Sequence, residues 1–243
     1  EHGTLRVLTY NIRHGADAAW KMRLNDQATF LASRNADLVA LQEVDKNCKR
    51  SGSVDQPYFF GERLAMQPTF QAFMPFNDGQ YGIAALSKLP VLDVSQSYAT
   101  DTAGTEPRKL PLIKFLLADQ QAIFVPIHFD WHENNTIRKK QVLQLLADLD
   151  KMNLPVILAG DFNDLPNSEV MQIFRDQGFT FKTGKKATFH GSKNEKTKAI
   201  EIDFIAVRGT ENLQLKLLKT QTINQRDLSD HAPVEAEILW QEL

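Results

Sequence analysis

The sequence predicts an α/β domain built on mixed β-sheets, and three observations lead there. Short apolar runs rich in β-branched residues alternate with segments whose apolar residues recur at helical spacing. Polar residues able to do chemistry stand at the carboxyl ends of four such runs, at Asn11, Glu43, His128 and Asp161, and at the amino ends of two others, at Asp203 and at Asp230 with His231. If all of them meet at one edge, the last two strands run opposite to the other four, which argues against an all-parallel doubly wound sheet. Finally, no linker, repeat or low-complexity tract interrupts the 243 residues, so one domain over 1–243 is expected.

Taken in order, Leu5 to Tyr10 reads as a strand ending at Asn11, with Arg13 and His14 just beyond. If the strand continues, Asn11 and Arg13 share a face. Leu24, Ala28, Leu31 and Ala32 give a helix over about 24–34, with Asn25 near its cap. Asp37 to Gln42 is a strand with Glu43 at its end, followed by a polar loop, 46–55, holding Lys46, Lys49 and Arg50. Tyr58 to Met66 reads as a helix. Thr69 to Phe76, Gly82 to Ser87 and Val91 to Tyr98 read as strands joined by turn residues, with Tyr81 at the border of a cleft or packed in the core.

The loop from Asp101 to Lys109 carries Arg108, whose planar fork suits phosphate oxygens; a structural pair with Glu106 is the competing reading. Leu110 to Ala118 and Ala122 to Ile127 form a hairpin ending in His128. His132 lies four residues on, but the segment leaves a strand rather than riding on a helix, so a zinc pair is not expected. Asn135 to Lys151 is the clearest helix, with Val142, Leu145, Leu146 and Leu149 as its buried stripe. Pro155 to Asn163 then gives an apolar strand, a tight turn at Gly160, and Asp161 and Asn163 two positions apart on one side. Taken alone, that stretch is equally well explained as a polar turn. Ser168 to Asp176 is a short helix. The Lys- and Gly-rich stretch 182–198, with Thr188, Phe189 and His190, reads as a solvated loop in preference to a polyanion grip. Strands at Ile202–Val207, Leu215–Thr222 and Ala232–Leu239 complete the chain.

Composition narrows the function. Net charge is −2, from 28 basic and 30 acidic residues, which leans away from a general polyanion binder. The single Cys48 excludes an internal disulfide framework and any Cys-rich metal site. No apolar run is long enough to span a bilayer. The chain starts at Glu1 without an initiator Met, which leaves export after removal of a signal peptide open; a monomer is expected. No nucleophile elbow, P-loop or dinucleotide glycine pattern is present. What remains is a set of carboxylates and two histidines without sulfur, a donor set for hard cations such as Mg²⁺ or Mn²⁺ and for metal-assisted hydrolysis.

The segments Thr9-Tyr10-Asn11, Leu41-Gln42-Glu43-Val44, Gly82 through Ser87, Ile127-His128-Phe129, Gly160-Asp161-Phe162-Asn163, Ile202-Asp203-Phe204-Ile205 and Ser229-Asp230-His231-Ala232-Pro233 together resemble the endonuclease/exonuclease/phosphatase superfamily, the DNase I-like group, in its order and over residues 9 to 233. Each motif alone is weak; the ordered set is specific. The resemblance implies a four-layer α/β sandwich of two facing mixed sheets with helices outside, and hydrolysis of a phosphoester, usually a phosphodiester, with Mg²⁺ or Mn²⁺. It implies Glu43 as main metal ligand with Asn11 and Asp230 close by, and Asp161 as the group that orients or deprotonates water. Asn163 would hold the phosphate. His231, oriented by Asp203, would bind or protonate the phosphoryl group, and His128 would contact it from the other side. Arg13 and Arg108 are candidate substrate contacts.

Two departures stand out. Many relatives carry an acidic residue where this chain has Arg13, which bears on a second metal ligand there, and His128 sits in Pro-Ile-His-Phe-Asp rather than between Thr and Leu. The substrate stays open among nucleic acid, phospholipid and small phosphate. A phosphomonoesterase or lipid phosphodiesterase is the alternative, and a catalytically silent binding module a more distant one.

Overall fold

A computed structural model describes residues 1–100, 104–117, 119–191 and 198–243. The start of the 101–109 loop, Ala118 of the expected hairpin and residues 192–197 of the Lys-rich stretch lie outside the described residues. The chain opens with β1 (His2–Asn11), α1 (Leu24–Arg34), β2 (Leu38–Lys46) and α2 (Gln56–Leu64), then the hairpin β3 (Gln67–Phe76) and β4 (Gly79–Ser87), and β5 (Val91–Ser97), which crosses to the other sheet. The hairpin β6 (Leu110–Leu117) and β7 (Gln120–His128) leads into α3 (Thr136–Met152), β8 (Val156–Asp161) and α4 (Glu169–Asp176). The short β9 (Thr180–Phe181), then β10 (Asp203–Arg208), β11 (Leu213–Thr222) and β12 (Val234–Glu242) finish it.

The strands form two six-stranded mixed sheets, ordered β11-β12-β1-β2-β4-β3 and β5-β6-β7-β8-β10-β9. β1 runs parallel to β2 and antiparallel to β12. β7 runs parallel to β8, and β10 is antiparallel to β8. Both reversals are the ones that convergence of the polar residues demands. The sheets face each other across a core that includes Val7, Ile113, Phe115, Ile157, Ile205 and Ile238. The opposite faces are covered too: Leu8, Tyr10, Leu31 and Phe60 join α1 and α2 to the first sheet, and Ile127, Leu158, Val142, Leu146 and Phe174 join α3 and α4 to the second. The result is a four-layer α/β sandwich, and burial on both faces explains why the central strands read as continuous apolar runs.

Three local features differ from expectation. Asn25 lies inside α1 and caps nothing; Gln27 N–H instead bonds back to the carbonyl of Arg23. β2 does not stop before Glu43 but runs on to Lys46 through a bulge between Leu41 and Val44, with Glu43 at φ 56°. In the 182–198 stretch, Thr188 is fully buried and Phe189 bridges to both Ile200 and His231, so this part is docked rather than solvated. Among the described residues no helix is long and apolar enough to cross a membrane.

Candidate active site

The site forms where the strand ends expected to converge meet. Asn11 closes β1, Glu43 projects from the β2 bulge, His128 and Asp161 close β7 and β8, and Asp203 opens β10. Asp161 is in register with His128 on one side and Asp203 on the other. That packing requires Gly160, because a Cβ there would come 2.0 Å from the Ile127 carbonyl oxygen. Asn163, just past β8, adopts a left-handed φ of 51°. Glu43, His128, Asp161, Asn163, Asp230 and His231 line one cavity of about 700 Å³, together with Arg13 and Arg108. Asn11 and Asp203, both buried, support that wall from behind through their side-chain bonds.

Asp161 is central. Its Oδ1 accepts from the Asn163 amide at 2.9 Å, and its Oδ2 lies 3.3 Å from Asn11 Nδ2 and 3.8 Å from Nε2 of both His128 and His231. Burial, with the Asp203 carboxylate behind it, pushes its pKa up to about 7, and His231 works against that rise. Asp161 therefore titrates near neutrality, where a group that accepts a proton from water is most effective.

The two histidines are prepared differently. Arg108 Nη1 approaches His128 Nδ1 at 3.1 Å; guanidinium only donates, so Nδ1 accepts and the ring proton sits on Nε2, toward Asp161. Burial, then Arg108 and His231, lower the His128 pKa far below its usual value, and the ring is neutral. His231 Nδ1 meets Asp203 Oδ2 at 2.9 Å. Burial opposes its charge, but Asp203 and then Asp161 outweigh it and raise the pKa to about 10, so this ring is a cation at neutral pH. Thr188 Oγ1 accepts from the amides of Ile202 and Asp203, both at 3.0 Å, and so fixes the start of β10 beneath His231.

Glu43 and Asp230 form the oxygen-rich side. Partial burial and the nearby Asp230 raise the Glu43 pKa, while Asn11 Nδ2 steadies its Oε1 from 3.1 Å. Two carboxylates and an adjoining Asp161, with no sulfur, fit a hard divalent cation, which would relieve the carboxylates' repulsion. Asp161, Asp203 and His231 also present donor atoms within 4.8 Å of one another. Yet Asp203 and His231 are already engaged with each other, and a protonated ring offers no lone pair, so the Glu43–Asp230 side suits a cation better. Asn11 turns its amide nitrogen toward Glu43 and Asp161 and its Oδ1 toward the Arg13 amide, 3.1 Å away. In this arrangement it is a donor that aligns carboxylates, and the ligand role expected of it requires the amide to turn over.

The expected anion contacts carry partners of their own. Arg13 does not continue the strand: at φ 48° it starts a short 3₁₀ turn, puts Nε 3.3 Å from Asp230 Oδ2 and bonds the Asp17 carbonyl. Arg108 pairs with Glu106 at 2.9 Å, the structural reading of it, and also holds His128. Arg50 joins the cavity wall, clamped to Asp45 by two 2.8 Å bonds. His132 pairs through Nδ1 with Asp130 at 2.7 Å. Trp20 and Trp131 also line the cavity and went unread in the sequence; an isolated tryptophan in a polar loop gives no periodic signal.

A family model described as "Endonuclease/Exonuclease/phosphatase family" matches residues 8–231. The chain belongs to that family. Members of the endonuclease/exonuclease/phosphatase family are phosphoester hydrolases, and the fold agrees with solved structures. A functionally unknown conserved protein from Enterococcus faecalis is 22% identical, with a TM-score of 0.77 over 96% of this chain and 99% of that one. An endonuclease/exonuclease/phosphatase from Bacteroides vulgatus is 21% identical, with a TM-score of 0.75 over 97% and 98%. ANGEL2, a 2′,3′-cyclic phosphatase, is 14% identical, with a TM-score of 0.76 over 98% and 96%.

Proposed function

We propose that this family member is a divalent-metal-dependent phosphodiesterase. The observation that carries the reading is Asp161 placed between a neutral and a cationic imidazole, beside the carboxylate pair Glu43 and Asp230. Asp161 orients a water and takes its proton as the oxygen attacks phosphorus. The His231 cation binds a phosphoryl oxygen and yields its proton to the leaving oxygen as the P–O bond breaks, with Asp203 holding the ring in position. His128 offers its Nε2–H to the phosphoryl group. Asn163 donates one amide hydrogen to the Phe129 carbonyl at 3.0 Å and has the second for the phosphate. Glu43 and Asp230 would hold Mg²⁺ or Mn²⁺, which when bound polarises the phosphoryl oxygen and offsets charge on the leaving group.

The test is hydrolysis of bis-p-nitrophenyl phosphate beside p-nitrophenyl phosphate, with Mg²⁺, with Mn²⁺ and with chelator, for the wild type and Asp161→Ala. Cleavage of the diester that needs both metal and Asp161 is expected. Cleavage of the monoester alone would make the protein a phosphomonoesterase. Failure on both, with no Mg²⁺ or Mn²⁺ bound in calorimetry, would make it a silent binding module.

A further inference from the structure

Two tryptophans stand exposed at the cavity wall, Trp20 at 64% and Trp131 at 61%. Each is fixed by machinery that its exposure does not require. Trp20 takes a left-handed φ of 66°, a costly conformation for a bulky residue. The turn that imposes it is pinned by the Asp17 carboxylate, which accepts from Ala19 N, Lys21 N and Arg23 Nε at 2.8–3.0 Å. The Arg13 guanidinium lies 3.9 Å from the indole centroid and backs the ring. Trp131 is stacked on His132, with centroids 4.2 Å apart and planes 18° apart. His132 is in turn held by Asp130, and Arg138 locks the turn by donating to the carbonyls of Asp130 and His132 at 2.7 and 3.0 Å.

So the cavity wall carries two largely exposed indoles, each on a turn tied down by a buried aspartate. Resting on the phosphodiesterase reading above, we infer that Trp20 and Trp131 are stacking platforms for a planar, uncharged ring on the substrate, making the preferred substrate a small nucleoside phosphodiester. The cavity, at about 700 Å³, has the size of a small-ligand site. Among the described residues its lining holds three arginines, at positions 13, 50 and 108, beside His231, and no lysine. A cationic head group is disfavoured, because arginines already lie on aromatic rings of the wall: Arg13 on Trp20, and Arg50 at 4.4 Å from Phe76 and 5.5 Å from Tyr81. A pinned indole backed by a ring or a guanidinium presents one flat face, which suits a base better than a lipid chain.

The experiment compares thymidine 5′-p-nitrophenyl phosphate with methyl p-nitrophenyl phosphate, using wild type, Trp20→Ala, Trp131→Ala and the corresponding Phe variants. The ratio of kcat/KM between the two substrates should favour the nucleoside ester. It should fall about five- to a hundredfold in each Ala variant, chiefly through KM, and recover in the Phe variants. A ratio unchanged by both Ala substitutions would overturn the stacking role even if both rates drop, since that is the signature of a loop prop. Binding is read separately from quenching of tryptophan fluorescence by adenosine 5′-monophosphate. If the wild type cleaves neither ester, the hydrolase reading fails, while quenching that disappears in the Ala variants would still establish the platforms. Absence of quenching in the wild type would sink them.

Discussion

His128 and His231 lie equally far from Asp161 Oδ2, at 3.8 Å, and both are buried, yet they are opposite groups. His128 faces a guanidinium and stays neutral; His231 faces a carboxylate and is charged. Burial lowers an imidazole pKa in both cases; at His128 the Arg108 guanidinium adds to that fall, whereas at His231 Asp203, with Asp161 and Asp230, reverses it. The lesson is that Arg108 and Asp203 bias the charge of the two rings from behind them.

The comparison can be broken in order of expected effect. The largest is His231→Ala, which should lower kcat on bis-p-nitrophenyl phosphate by about two to four orders of magnitude, the usual range for a general acid; His128→Ala should lose less, and an equal loss would erase the division of roles. Next, Asp203→Asn should lower kcat by about 10- to 100-fold, as for other ring-orienting partners. It should also bring the alkaline limb of the pH–rate profile down from about pH 10 toward neutrality, since His231 loses the carboxylate that keeps it protonated. An alkaline limb that stays in place would free His231 from that dependence.

Arg108→Ala sharpens the other half. With the guanidinium gone, His128 should accept a proton at higher pH than in wild type, read from its ring shifts by NMR. An unmoved titration would leave burial as the whole cause.

The smallest effect is on stability, and its sign differs for the two rings. His231 has a raised folded pKa, so its contribution is whole below pH 6.5 and is lost as pH climbs through about 10. His128 has a lowered one, so its cost appears as pH falls below 6.5, where the unfolded ring takes a proton that the folded one refuses. Calorimetric melting with chelator should show a Tm that drops toward pH 10 in wild type and less so in Asp203→Asn. Each kcal/mol lost corresponds to about 2–4 °C for a chain of this size. Equal slopes in the two proteins would contradict the pairing.

Much of this was legible in the chain. The strand order reversals followed from where Asp203 and His231 stand relative to their apolar runs, and the apolar runs themselves follow from sheets covered on both faces. What escaped was set by tertiary contact. The Glu43 bulge has no local signature, because Gln-Glu-Val reads as continuing strand or as its end. Thr188 looks like a polar loop residue until the start of β10 is seen bonding to it. Arg13 reads as a free anion contact, whereas Asp230, more than two hundred positions away, already pairs with it.

The β2 bulge carries a consequence for how this protein ages under mutation. Glu43 is a half-buried carboxylate with a raised pKa on a left-handed backbone, a conformation that costs about 1–3 kcal/mol in a residue of its kind. Glycine or asparagine at 43 would ease the backbone and remove the unfavourable charge together. With Glu43 as the proposed metal ligand, loss of selection for turnover would let this position drift toward a chain that is silent and more heat-resistant than its parent. Inactive descendants of such a protein would persist as well-folded molecules instead of disappearing as unstable ones.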